Sequence, residues 1–157
     1  MEINFSLYDV TPFSVNKAYY RRGKSIVRTK ECRVWGDDVL LKLQLPEIKK
    51  KLKAFSNAVE PSRCKGLEVS IIFYLPPSIM YTKTGKISRR SQDLSNVEKL
   101  LIDLIFDPRF HGRLIHEKVI TNLNLDDCLV TKLTSEKCVN DLQDQFQIDV
   151  SLRTSSL

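Results

Sequence analysis

The chain has 157 residues, 42% of them hydrophobic and 28% charged, with a formal net charge of +6. This is the composition of an ordinary globular domain, long enough for a core without metal or disulfide staples, and it argues against intrinsic disorder. No basic, apolar leader opens the sequence and no apolar run is long enough to span a bilayer, so a soluble cytoplasmic protein without a membrane partner is expected.

The four cysteines, Cys32, Cys64, Cys128 and Cys138, contain no CxxC pair, so free thiols are expected rather than a zinc ribbon or redox motif. Charge is unevenly placed. Residues 1 to 90 carry 18 Lys or Arg and 8 Asp or Glu, a balance of +10, and the remainder carries 7 and 11, a balance of −4. A basic front half suits a polyanion, and an acidic rear half suits divalent cations, although a basic surface by itself serves solubility equally well.

In chain order, INFSLYDV reads as a strand, followed by TPFSVNKAYYRRGKS, a loop rich in aromatic, Asn and basic residues. From Thr29 to Ala58, Val34, Trp35, Val39, Leu40, Leu43 and Ile48 recur near helical spacing, with Pro46 breaking or restarting the helix. LEVSIIFYL, residues 67 to 75, is rich in β-branched and aromatic residues between Gly66 and Pro76 and reads as a strand. PPSIMYTKTGKISRRSQ follows, with Lys83, Lys86, Arg89 and Arg90 and no acid, and reads as an exposed, mobile basic loop. A helix begins near Asp93 and ends by Pro108. Residues 107 to 124 read as an irregular insertion, in which His111 and His116 lack the i, i+4 spacing of a zinc pair and read as surface residues. LDDCLVTKLTSEKC is a turn and a strand, QFQIDVSL the last strand, and 153 to 157 a flexible tail. The expected fold is a single α+β domain: one mixed sheet with two main helices packed on it.

At about 100° per residue, Asn96, Lys99 and Asp103 fall with Asp93 within roughly 120° of one another on one helix flank. Leu94, Val97, Leu101 and Leu104 occupy the neighbouring flank and are expected in the core. Asp93 alone also suits a helix N-cap; a lysine six residues further on has no capping role. Asp126 and Asp127 stand where a strand is expected to begin. On that strand Asp127 shares a face with Leu129 and Leu133, so it is the stronger ligand candidate and Asp126 the weaker. Carboxylates from two segments, a lysine and a basic loop suggest a Mg²⁺-dependent phosphodiester site, with Mn²⁺ a possible substitute and no small-molecule cofactor. Tyr19 and Tyr20, beside Arg21, Arg22 and Lys24, suit base stacking and phosphate contacts; the alternative places one tyrosine in the core and one on the surface.

D-L-S-N-V-E-K at 93 to 99, Asp103, and L-D-D at 125 to 127 together resemble the RusA-type Holliday junction resolvases of bacteria and their phages. Their signature is D-x-D-N-x-x-K, a helix, and a D-D at a strand start. S-V-N-K-A-Y-Y-R-R-G-K at 14 to 24, LEVSIIFYLPPS, and the two arginines ahead of Asp93 extend the resemblance over nearly the whole chain in the same order.

The resemblance implies a homodimeric endonuclease that cuts four-way DNA junctions with Mg²⁺ held by three aspartates. It assigns Asp93 and Asp127 to the metal, Lys99 to the essential lysine, Asn96 and Asp103 to recurrent polar positions, and Asp126 to the first of the D-D pair. Asn16, Tyr19, Tyr20, Arg21, Arg22, Lys24, Lys83, Lys86, Arg89 and Arg90 become candidate DNA contacts. Ser95 departs from the pattern, standing where the motif has its second aspartate; a neutral hydroxyl is the weaker ligand, and Asp103 or Asp126 is expected to compensate. A junction-binding protein that has lost catalysis is the alternative. Ile102 and Phe106, apolar but off the main stripe, are candidate interface residues.

Overall fold

The computed structural model describes residues 1–60, 63–106, 123 and 125–155. The expected insertion 107–124, with His111 and His116, lies outside the described residues except for the buried Leu123. The fold is mixed α+β. A four-stranded sheet has the order β1-β6-β4-β5, from β1 (Glu2–Tyr8), β4 (Leu67–Leu75), β5 (Val130–Val139) and β6 (Gln147–Thr154). The β1·β6 and β4·β6 pairs are antiparallel, and β4·β5 is parallel.

Alternation along the strands decides where the core sits. On β4, Leu67, Val69, Ile71, Phe73 and Leu75 are all buried, whereas the residues between them are half-buried. Ile3, Phe5 and Leu7 on β1, and Ile148, Val150 and Leu152 on β6, join the same apolar layer. Helices α1 (Lys30–Leu43), α2 (Pro46–Ala58) and α4 (Leu94–Phe106) complete it. Each fully buried Leu, Ile or Phe contributes about 1.5–3 kcal/mol relative to exposure.

Pro46 does restart the helix, standing at the first turn of α2 where its missing N–H costs nothing, so the expected long helix is two. Val34, counted in the apolar pattern of α1, is 60% exposed. Residues 19 to 28, expected as loop, form a hairpin of β2 (Tyr19–Arg22) and β3 (Ser25–Arg28), with Gly23 at φ +61° supplying the turn. The four residues of β2 are exposed, so no alternation reveals them as a strand. Thr29 ties the hairpin down: its N–H bonds the Ala18 carbonyl, its hydroxyl bonds the Lys17 carbonyl, and its Oγ1 caps α1 at Cys32 N.

In the basic stretch 76 to 92, Lys83, Lys86, Arg89 and Arg90 are exposed, as expected, whereas Pro76, Met80 and Ser91 are buried. The stretch forms a short helix α3 (Pro77–Met80), a turn closed by a Tyr81–Ile87 bridge with Gly85 at φ +77°, and a 3₁₀ turn at Arg89–Ser91. Arg153 and Thr154, expected in the tail, instead end β6 opposite Glu2 and within reach of Met1. The four cysteines are unpaired, and among the described residues no helix is long and apolar enough to cross a membrane.

Gly66 sets where β5 begins. Its φ is +145°, and a Cβ there would meet Thr131 Oγ1 at 2.3 Å and Cγ2 at 2.5 Å. Thr131 is the residue left over where the β4·β5 register shifts between Leu67 and Glu68. Gly66→Ala is expected to destabilise the fold by more than about 1 kcal/mol, read as a lower urea midpoint, because both backbone and contact forbid a side chain.

Candidate functional site

Helix α4 carries the segment singled out from sequence. Val97, Leu101 and Leu104 are buried and Leu94 packs against the core, as expected. Leu100, Ile105 and Phe106 are buried too. Phe106, at 2% exposure, is therefore core and not an interface residue, and Ile102 is half-buried against the same cluster.

Asn96, Lys99 and Asp103 project on a common flank at i, i+3 and i+7. Lys99 Nζ lies 3.8 Å from Asp103 Oδ1; the lysine is exposed and the aspartate only 19% so. Burial pushes the Asp103 carboxyl above the usual carboxylate range, the Lys99 ammonium opposes that, and the negative charge of Asp127 adds to it. The turn Asp127–Leu129 lies against α4, although Asp127 and Asp103 are 24 positions apart in sequence. Arg28, at the end of the hairpin, also acts on Asp103 and favours its ionised form. Acid from two remote segments and base from the hairpin and helix therefore share one neighbourhood.

The acidic pair itself is placed differently from expectation. Asp127–Leu129 is a 3₁₀ turn, and β5 starts only at Val130. Asp126 and Asp127 are both exposed and precede the strand, so the core-facing strand position expected for Asp127 is not formed. Asp126 Oδ1 accepts from Cys128 N at 2.9 Å and caps this turn, which gives its carboxylate a structural role. Serine in place of a second aspartate leaves Ser95 exposed on the first turn of α4.

Asp93 precedes the first residue of α4, and its carbonyl accepts from Asn96 N at 3.1 Å. Ten residues of helix separate it from Asp103, about 15 Å at 1.5 Å per residue. Two aspartates that far apart cannot ligate one ion, so the expectation of Asp93 and Asp103 in a single ligand set is corrected. Among the described residues, no group of three or more His, Cys, Asp or Glu side chains is placed to hold a metal. Asp93 and Asp127 offer exposed carboxylate oxygens. Such a set fits Mg²⁺ or Mn²⁺, which keep their waters and add substrate phosphate, and does not fit a closed cage.

Two residues that the sequence reading passed over sit behind Asp93. Gln92 has φ +57° and ψ 165°, a region nearly reserved for glycine that costs on the order of 1–3 kcal/mol for other residues. Its Nε2 donates to the Pro12 carbonyl at 3.2 Å, and its Oε1 is buried without a partner among the described residues. Lys137, on β5, donates to Ser91 Oγ at 3.0 Å and to the Gln92 carbonyl at 2.6 Å. No local pattern marks either residue, since both contacts join segments more than 40 residues apart.

The candidate DNA contacts form a discontinuous basic surface. Asn16, in the 3₁₀ turn Val15–Lys17, packs beside α4 and donates its N–H to Ser14 Oγ at 3.2 Å. Tyr19 and Tyr20 are both exposed, at 38% and 46%, which removes the alternative of one buried and one free. Arg21, Arg22, Lys24, Lys83, Lys86, Arg89 and Arg90 are exposed, and Arg89 and Arg90 lie in the turn directly ahead of Asp93. No protein-family model matches the chain, and no curated protein matches it.

The raised Asp103 carboxyl predicts a pH signature. A carboxyl that titrates higher in the folded than in the unfolded chain costs stability once ionised, and that cost vanishes in acid where both states hold the proton. Asp103→Asn, measured by urea unfolding in EDTA, is expected to be more stable than the parent at pH 7. The gain should shrink as the pH falls toward the unfolded aspartate value of about 4. The lost exposed pair with Lys99 offsets it by only about 0.3–0.5 kcal/mol.

Proposed function

We propose that the chain is a Mg²⁺-dependent endodeoxyribonuclease that nicks branched DNA, with four-way junctions as substrate. The observation that carries this reading is the turn Asp127–Leu129 lying against α4, where Lys99 pairs with Asp103, beside a basic hairpin. The resemblance of residues 93 to 99 and 125 to 127 to the RusA-type resolvases supplies the substrate class. Membership in that family, and the homodimer it implies, are part of the proposal. A single such site cuts one strand, so paired nicking requires a second copy related by a two-fold axis.

Asp93 and Asp127 would hold the ion, with Ser95 a neutral neighbour and Asn96 a nearby polar group. Mg²⁺ held there would supply charge neutralisation at the phosphate and a more acidic water, and the products would carry 5′-phosphate and 3′-hydroxyl ends. Asp103 is assigned a different task from metal binding. Its half-buried carboxylate restrains an otherwise exposed lysine, so that Lys99 presents its ammonium to the non-bridging phosphate oxygens as negative charge builds there. Tyr19 and Tyr20 stack on unpaired bases while Arg21, Arg22, Lys24, Lys83, Lys86, Arg89 and Arg90 contact phosphates in a salt-sensitive manner.

Purified protein incubated with a synthetic four-way junction and Mg²⁺ is expected to give symmetric nicks that EDTA abolishes. Asp127→Asn should remove them, and Lys99→Ala should slow them by about 10²-fold or more while junction binding in EDTA is retained. Equal cleavage by Asp127→Asn and the parent would reject the nuclease assignment.

Ser95 supports a second reading, a junction binder without catalysis, since the ligand set is one formal charge short of the resembled motif. A gel shift in EDTA, no cutting in Mg²⁺ or Mn²⁺, and cutting gained by Ser95→Asp would establish that reading.

A further inference from the structure

We infer that Lys137 is a positioning residue that holds the peptide carrying Asp93 in the orientation needed for metal binding; this rests on the reading of Asp93 as a metal ligand. On β5, Lys137 pairs with Phe73 of β4, which is only 1% exposed, and Lys137 therefore stands on the core-facing side of the sheet. A lysine on that side is costly unless its ammonium is satisfied. Among the described residues it forms no ion pair. Its partners are neutral: Ser91 Oγ at 3.0 Å and the Gln92 carbonyl at 2.6 Å.

Those two acceptors belong to the residues immediately before Asp93. Ser91 is 3% exposed, and its hydroxyl is itself tied to the Ser88 carbonyl at 2.8 Å. The Gln92 carbonyl is part of the peptide that links Gln92 to Asp93, so its direction fixes how the Asp93 backbone leaves the turn. That peptide follows a backbone conformation that glutamine disfavours, and Gln92 Oε1 has no partner among the described residues to help stabilise it. A charged donor on the carbonyl, the Nε2 contact to Pro12 and the Gln92 N–H bond to the Arg89 carbonyl at 3.4 Å hold it there. The arrangement has the logic of outer contacts that orient a metal ligand without touching the ion.

The test compares Mn²⁺ affinity, by titration calorimetry on the full chain, with junction cleavage across Mn²⁺ concentrations. The parent, Lys137→Met, Lys137→Arg, Ser91→Ala and Asp93→Asn are each measured. Lys137→Met is expected to lower Mn²⁺ affinity by about 10–100-fold, with cleavage recovered at high Mn²⁺ and junction binding in EDTA unchanged. Lys137→Arg should restore part of the affinity, and Ser91→Ala should lose less than Lys137→Met. If Lys137→Met does not fold, by circular dichroism, Ser91→Ala decides the matter through the same affinity measurement. Unchanged Mn²⁺ affinity in the folded variant overturns the inference, as does an affinity indifferent to Asp93→Asn. A parent that binds Mn²⁺ through Asp93 and loses that binding in Lys137→Met, yet cuts no junction, would sink the nuclease reading and leave the positioning role standing.

Discussion

The parallel pairing of β4 with β5 is the constraint on which the site depends. Parallel neighbours cannot be joined by a tight turn, so the chain must travel back along the sheet before β5 can start. Helix α4 lies on that return path and seals itself to the sheet through Val97, Leu100, Leu101, Leu104, Ile105 and Phe106. Because its apolar stripe must face the sheet, the flank bearing Asn96, Lys99 and Asp103 is left along the border between core and solvent. The same return delivers Asp126 and Asp127 to the start of β5, where Gly66 admits the irregularity at Thr131. Fold energetics, rather than any direct attraction among the acids, bring like charges together.

That placement has a cost, and it is visible in two places. Asp103 is driven toward its neutral form by burial and by the charge of Asp127. Gln92 adopts a glycine-like backbone with an amide oxygen unsatisfied among the described residues. Both features sit on α4 or at its entrance, and both would be relieved by simple substitutions if stability alone were being served. Local destabilisation at the entrance and toward the far end of a well-packed helix is the pattern expected where binding chemistry is set against folding.

The hairpin β2·β3 and the turn from Tyr81 to Ser91 frame this region with base. They differ in how they are held. The hairpin is anchored through Thr29 to the start of α1, and the turn is closed by its own hydrogen bonds and by Ser88 N to the Met80 carbonyl at 2.9 Å. Loop residues 11 to 13 link α1 to Gln92. Trp35 Nε1 bonds the Thr11 carbonyl at 2.7 Å, Phe13 packs on the Trp35 ring with centroids 5.6 Å apart, and Pro12 receives Gln92 Nε2. A shift of α1 would therefore be felt at the entrance to α4.

Much of this was legible locally, because helix and strand periodicity depends only on neighbouring residues. The alternation of LEVSIIFYL, the restart at Pro46, the apolar flank of α4 and the polar flank beside it all follow from side-chain spacing, and so does the mixed α+β class. The hairpin was hidden because all of β2 is exposed and no buried face imposes a period. The 3₁₀ turn at Asp127–Leu129 was hidden because a single turn and a strand start share the same residue types. The ion pair of Lys99 with Asp103 could be read from i, i+4 spacing. The approach of the turn Asp127–Leu129 to α4 and the grip of Lys137 on the peptide before Asp93 could not. Those depend on strand order and register, which arise when distant segments compete to bury apolar surface, and only the folded chain resolves that competition.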